Sequence, residues 1–321
     1  MHKNVMLLTG ATGFIGRVLG LRHAADGWQV RPTGYRKASG AVPAVPLAPD
    51  TDWTELLDGV SAVVHLGGRA HVLKEQEADP LAAFRYVNTA ATLALARQAA
   101  QAGVRRFVFM SSIGVNGAMH AGPVKESDPP RPNSPYAVSK LEAELGLRAI
   151  AADSQMEVTI LRPPLVYGPN VGARFLQLLR LVGSGVPLPF GAVQNSRSLL
   201  GVHNLADAVA VCLLRPEAAN ETFLVADKAP VSTPELISML ADAMERPHRL
   251  FSIPPSMLRL GGRCFGKGEQ LGRLLDSLVA DTTHIQELLR WSPPVSTKEG
   301  IAETAKWFLS TTSAVSLELE R

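Results

Sequence analysis

Cysteine is scarce in this chain of 321 residues; there are two, Cys212 and Cys264. Two cysteines so far apart give no disulfide framework and no CxxC pair, and each reads as a small apolar filler. Long apolar runs are missing as well. No stretch reaches the ~18 apolar residues of a membrane span, and the early run VMLL is too short for a signal-peptide core. An excess of one charge is lacking: 32 Lys and Arg face 29 Asp and Glu, a net charge of +3. Without a basic run the chain offers no nucleic-acid surface. Charged residues are 19% and hydrophobic residues 46%, enough for a core and too apolar for disorder. No internal repeat and no metal-ligand spacing stands out. These absences leave a globular protein in a reducing, cytoplasmic setting, with no membrane, nucleic-acid or metal partner.

What is present is alternation. Short apolar runs at 4–9, 28–33, 61–66, 105–112 and 157–162 are separated by helical patterns at about 14–26, 52–58, 80–102 and 134–152. Strand–helix alternation predicts an α/β chain, a parallel sheet covered on both faces by right-handed crossovers. After Pro163 prolines and glycines crowd RPPLVYGPN and GSGVPLPFG. A helix near 204–214 and a strand at 222–226 follow, then short helices. STPE (232–235) and STKE (296–299) read as capping boxes, and the tail after Ser310 as loose chain. The expected division is a nucleotide-binding domain over 1–165, to which 198–228 returns, and a smaller, partly interleaved substrate lobe over 166–321.

LLTGATGFIGRVL places Gly10, Gly13 and Gly16 after the first strand and at the opening of a helix. Glycines there permit a tight turn, close approach to a pyrophosphate and close helix packing; the helix N-terminus then faces the anion. A carboxylate for the adenine ribose is expected at the end of the second strand. Gly34 stands there instead, followed by Arg36 and Lys37. Cations without a carboxylate suit the 2′-phosphate of NADP, with NAD as the alternative.

RRFVFM runs into Ser111 and Ser112, and SPYAVSK opens a helix with Tyr136 and Lys140 one turn apart on one face. In a parallel sheet these groups share the carboxyl rim with the glycine turn, where ligands bind. The chemistry is that of proton transfer beside a hydride carrier. Ser112 holds an alcohol or carbonyl oxygen and Tyr136 takes or gives its proton. Lys140 lowers the phenol's pKa and holds the cofactor ribose.

TGATGFIG, VVHLGG, the asparagine of YVNTAATL, FMSSIGVNG, PYAVSK, RPPLVYGPN and EGIAETAKWF together resemble the extended short-chain dehydrogenase/reductase family. The branch is that of the NAD-dependent epimerases and dehydratases of nucleotide sugars. The resemblance implies a Rossmann-type doubly wound sheet with a smaller, mostly C-terminal α/β substrate lobe. It implies that Ser112, Tyr136 and Lys140 are catalytic. Along the cofactor it places Gly10, Thr12, Gly13, Phe14, Ile15 and Gly16, then Leu66, Gly67 and Gly68, then Asn88, Lys140 and Pro163; charge adds Arg36. His65 is expected to matter through its backbone more than its ring. Toward the substrate, a nucleotide sugar expected to be UDP-linked, it places Ser111 and Arg197, the latter matching the family's diphosphate arginine. SSIGVNG and NSRSLL are closest to enzymes of O-antigen and capsule sugar synthesis, both 4-keto-sugar reductases of the UDP-N-acetyl-quinovosamine or -fucosamine type and UDP-glucose 4-epimerases. Relatives pair through two core helices, so segments 80–102 and 134–152 are candidates for a homodimer interface.

Departures narrow the chemistry. Family dehydratases carry an Asp-Glu pair after the catalytic hydroxyl; here Ile113 and Gly114 cannot act as acid or base. Asn116 either touches substrate or turns the chain. Arg174 is either a diphosphate fork or a surface charge. His203 reads as a satisfied, buried or half-buried strand residue, and Phe190 as a neighbour of the base or a core residue. His71 and Glu75 fall in a loop toward the sugar without an assigned role. The first reading is a nicotinamide-dependent reductase acting at C4 of a nucleotide-linked hexose. The second is a 4-epimerase using the same residues, and the third a non-catalytic NADP sensor on the same fold.

Overall fold

The computed structural model describes residues 4–34, 42–70, 76–117, 122–264 and 268–319. Its strands are β1 (Val5–Thr9), β2 (Gln29–Thr33), β3 (Ala62–His65), β4 (Arg106–Met110), β5 (Glu157–Arg162), β6 (Leu165–Tyr167), β7 (Leu199–Gly201) and β8 (Thr222–Leu224). Among the described residues one six-stranded sheet runs β2–β1–β3–β4–β5–β8, parallel throughout. β6 and β7 form a separate parallel pair. Of the stretch 198–228 expected to return to the main sheet, only β8 adds a strand to it; Leu199–Gly201 pairs with β6 instead.

The helices are α1 (Phe14–Ala25), α2 (Thr54–Leu57), α3 (Pro80–Phe84), α4 (Ala91–Gln101), α5 (Pro135–Ala152), α6 (Ala173–Gly183) and α7 (Val202–Leu214). They continue with α8 (Thr233–Ala243), α9 (Pro255–Cys264), α10 (Gly268–Leu275), α11 (Thr283–Leu289) and α12 (Thr297–Leu319). The single helix expected over 80–102 is interrupted by a π-turn, Arg85–Ala90, between α3 and α4. The end of α12 also differs from expectation. The hydroxyls of Ser310 and Thr311 donate to the carbonyl of Trp307, and Thr312 donates to that of Phe308. They back-bond into the helix rather than breaking it, and α12 runs on to Leu319.

Both faces of the main sheet are covered, which is why β3 and β4 are buried along their whole length. Alternation sorts the side chains. Met6, Leu8, Val64, Val108 and Leu161 pack with Leu205, Val209 and Ile285 on one face. Leu7, Val63, Phe107, Phe109 and Ile160 pack with Leu95, Ala143 and Leu147 on the other. Pro32 lies in β2, an edge strand, where its missing N–H costs no ladder bond. A further cluster gathers Tyr167, Phe175, Leu179, Leu199, Leu240 and Ile301 around the β6–β7 pair; Phe190 is buried in it as a core residue. Both expected capping boxes form. Ser232 and Glu235 bond reciprocally, and Ser296 and Glu299 do the same.

Candidate active site

The chain leaves β1 and turns back across β3, so the point where strand order reverses lies between them. Crevices for ligands form at such points. Gly10 turns the chain there with φ +69°, a left-handed conformation suited to glycine. Its neighbours leave no room for a side chain: a Cβ on Gly10 would lie 3.0 Å from the amide nitrogen of Gly67. A Cβ on Gly16 would lie 2.2 Å from the Gly10 carbonyl oxygen. Gly13 caps α1 without a side-chain bond, leaving the first helical amides directed into the crevice. Gly34 ends beside Thr12, and a Cβ there would come within 2.6 Å of the Thr12 methyl. Arg36, Lys37, His71 and Glu75 lie outside the described residues.

His65 does more than expected. Its Nδ1 pairs with Thr9 Oγ1 at 2.7 Å and its Nε2 with Thr92 Oγ1 at 2.9 Å. Thr9 Oγ1 also accepts the Gly67 amide at 3.1 Å. The ring therefore ties β1, α4 and the exit of β3 together beneath the crevice. Burial holds it neutral, pushed down to about 3.

α5 delivers the phenol and the ammonium. Ser134 caps it, accepting the Ala137 amide at 3.2 Å, and Pro135 occupies the first helical turn. This fixes Tyr136 in the first turn and Lys140 one turn on. Lys140 is buried; its Nζ donates to the Met110 carbonyl at 2.8 Å and lies 4.5 Å from the Phe109 ring centroid. A Cβ on Gly68 would be 3.6 Å from that Nζ and 2.9 Å from Asn88 Oδ1. Asn88, in the π-turn, accepts the Arg69 amide and donates to the Arg69 carbonyl and to Ser139. The widened turn is what brings Asn88 into this bridge between the β3 exit and α5.

Ser112 ends the strand side of the site. Its side chain caps a short 3-10 turn, Ile113–Val115, accepting the Gly114 amide at 3.1 Å, and it stands beside the half-buried Tyr136. The phenol differs from expectation: burial pushes it up to about 12, against the opposing influence of Ser112. Burial also draws Lys140 down to about 8. The reason lies in direction, because the ammonium is committed to the Met110 carbonyl. Ile113 is buried beside Val124 and Leu224, away from the site. The Pro163 carbonyl accepts the Ile113 amide at 3.0 Å and so fixes the same turn.

Gly10 thus adjoins Gly67, and Gly68 adjoins Asn88 and Lys140, while Phe14, Ile15 and Leu66 are half-buried against the core clusters. Ser111 and Asn116 are buried; Ser111 Oγ donates to Glu144, and Asn116 Oδ1 accepts from Arg162 at 3.1 Å. Their position in the core differs from a substrate-facing one. Arg197 is half-buried next to Val231, its Nη1 donating to the Asp276 carbonyl at 2.7 Å. Arg174 is half-buried in the first turn of α6. His203 lies on α7, its ring 3.2 Å from Glu303, and not in a strand. Cys212 is buried and its thiol is pushed up to about 12, an inert filler.

Three neighbours escaped the sequence reading. Phe84 meets Tyr136 edge-on at 6.1 Å, and Arg69 stacks on Phe84 at 5.2 Å. No spacing rule links these to SPYAVSK. Glu144 did carry a signal, two turns from Tyr136 on the same helix stripe. No group of three metal-ligating side chains occurs among the described residues.

A profile described as the NAD dependent epimerase/dehydratase family matches residues 6–226. The chain is 42% identical to UDP-glucose 4-epimerase of Vibrio cholerae, over 96% of each chain. It is 32% identical to UDP-glucose 4-epimerase of Mycolicibacterium smegmatis, over 94% of this chain and 97% of that one. Among solved structures, MoeE5 in complex with UDP-glucuronic acid and NAD matches with a TM-score of 0.76 and 27% identity, over 96% of this chain and 100% of that chain.

Proposed function

The chain belongs to the NAD dependent epimerase/dehydratase family of enzymes acting on nucleotide sugars, and within it we propose that this one is a UDP-hexose 4-epimerase working through Ser112, Tyr136 and Lys140. One observation carries the reading. Ser112 beside Tyr136 and a buried Lys140 adjoin the glycine-lined crevice, in a chain 42% identical to a UDP-glucose 4-epimerase. That likeness moves the epimerase ahead of the reductase that the residues alone suggested first.

The crevice fits a nicotinamide dinucleotide. Gly10 and Gly16 leave a cradle that any Cβ would fill, and the uncapped start of α1 offers amides to a pyrophosphate. Gly13, Thr12, Phe14 and Ile15 would hold that end, and Leu66, Gly67, Gly68, Asn88 and Pro163 are assigned to the rest of the dinucleotide. A bound nicotinamide would supply the hydride chemistry at sugar C4. The chain's own residues handle the proton. Ser112 hydrogen-bonds the C4 oxygen, Tyr136 takes the hydroxyl proton as its phenolate and later gives it back as the phenol, and Lys140 holds positive charge beside it to favour that phenolate. No side chain at 113 or 114 can remove water from the sugar, which argues against dehydration. Arg197 and Arg174 are assigned to the diphosphate, for which a planar guanidinium fork is suited. The lobe around β6 and β7 is assigned to the sugar nucleotide.

An epimerase keeps its cofactor through turnover. Purified protein given UDP-galactose or UDP-glucose, with nothing added, is expected to reach the same mixture from either side. NAD is expected on denaturing the protein; NADP would instead credit Arg36 and Lys37. The reductase reading draws on Gly34, which supplies no carboxylate to hold the adenine ribose. It predicts no interconversion, and loss of NADPH absorbance with a UDP-4-keto-hexose.

A further inference from the structure

Beneath the site lies a buried charge pair that no step above uses. Glu144 and Arg162 are about as enclosed as side chains can be, 1% and 4% exposed. Arg162 Nη2 donates to Glu144 Oε2 at 2.5 Å and its Nε to Oε1 at 3.0 Å, a two-pronged bond. Ser111 Oγ donates to the same carboxylate. Arg162 Nη1 reaches Asn116 Oδ1 at 3.1 Å, and Asn116 Nδ2 donates to the Lys125 carbonyl. An unpaired charge at such a place is strongly unfavourable, and an apolar pair often serves stability equally well. The ion pair therefore calls for a reason beyond stability.

Its connections supply one. Ser111 precedes Ser112, and Asn116 directly follows the 3-10 turn that Ser112 caps. One arm of the network thus grips the Ser112 turn on both sides. The other arm is Glu144, on the α5 stripe that carries Tyr136 and Lys140 at successive turns. We propose that the Glu144–Arg162 pair is the positioning device of the active site: through Ser111 and Asn116 it registers the Ser112 turn against Tyr136, and it holds a negative charge beside Lys140. The proposal rests on the reading of Tyr136 and Lys140 as the proton-transfer pair.

The surroundings of Lys140 leave that second task to Glu144. From β3 the facing titratable group is His65, which is neutral. β4 presents the Met110 carbonyl and the Phe109 ring, and the β3 exit and π-turn present Gly68 and the neutral Asn88. α5 itself adds the phenol of Tyr136, whose pKa burial raises. β5 contributes Arg162, on the far side of the carboxylate. Glu144 supports the ammonium against burial. Replacing it by glutamine would leave Lys140 and the charge of Arg162 with no negative charge between them.

The test uses full-length enzyme with UDP-galactose, following kcat and KM against pH and the melting temperature. Glu144→Gln is expected to move the alkaline limb of kcat down by about one pH unit and to lower kcat about tenfold, with KM little changed. Ser111→Ala removes one bond and no charge; it is expected to lower kcat severalfold without moving the limb. Should Glu144→Gln fail to fold, Glu144→Gln with Arg162→Met removes both charges, and a smaller shift of the limb in the same direction is expected. A wild-type limb in a folded Glu144→Gln or in the double variant overturns the electrostatic role. A wild-type kcat in Ser111→Ala overturns the positioning role, whatever the others do. Tyr136→Phe serves as the separate control: if it stays active, the reading of the site has failed and not the network alone.

Discussion

A methyl group at position 16 would lie 2.2 Å from the Gly10 carbonyl oxygen and 2.6 Å from the Ala11 Cα, both backbone atoms that cannot step aside. At position 13 the nearest contact would be 3.2 Å. Gly16→Ala is therefore expected to abolish cofactor retention and to lower the melting temperature, whereas Gly13→Ala weakens retention more mildly. Equal retention by the two variants, measured from released nucleotide, would contradict this ordering. Such residues are legible in a sequence because a turn between strand and helix fixes their spacing. Ser112, Tyr136 and Lys140 are legible for the same reason, since their geometry follows from one strand end and one helical turn. Arg69, Phe84 and Arg162 are not, because they reach the site from elements distant in the chain. The phenol's raised pKa escaped for a related reason. Spacing places an ammonium near a tyrosine, but only tertiary structure shows it bonded to the Met110 carbonyl.

At the scale of elements, α5 is the part that must not drift. Ser134 accepts the Ala137 amide, and nothing else in the first turn caps the helix. Ser134→Ala is expected to cost about 1 kcal/mol of stability and to lower kcat more than it raises KM, because the frayed turn carries Tyr136. A variant with normal kcat would show that packing against Phe84 suffices to hold the ring. Element boundaries were readable where periodicity was clean, as in α1, β5 and α5. They failed where local rules compete. An alanine-rich run gives no hint of a π-turn, which lets Asn88 reach both the amide and the carbonyl of Arg69 and also Ser139. The serine- and threonine-rich end of α12 looked like loose chain because those residues also favour turns. β6 and β7 are three residues each, too short for a period-2 signal.

For the molecule as a whole, the sheet order and the crevice at its switch point follow from strand–helix alternation, so the fold was largely open to reading. Its response to acid was not, because it depends on a histidine buried under the crevice. In the folded chain His65 sits at about 3, well below its ordinary 6.5. The unfolded chain binds the proton as pH falls through 6.5 and the folded chain does not. Stability present above pH 6.5 is therefore lost as pH falls toward about 3, by about 2 kcal/mol at pH 5. Melting curves of wild type and His65→Gln are expected to diverge in slope over that window. A residual slope in the variant is expected from His23, also buried and held below its usual value. Parallel curves would remove His65 from the explanation.

The central claim is that the Tyr136 hydroxyl moves the proton at sugar C4. Tyr136→Phe keeps the ring and its contact with Phe84 and deletes only that oxygen. The decisive measurement is epimerisation of UDP-galactose by this variant, alongside its retained nucleotide. Turnover is expected to fall by about a thousandfold with nucleotide retention unchanged; turnover equal to wild type would contradict the account.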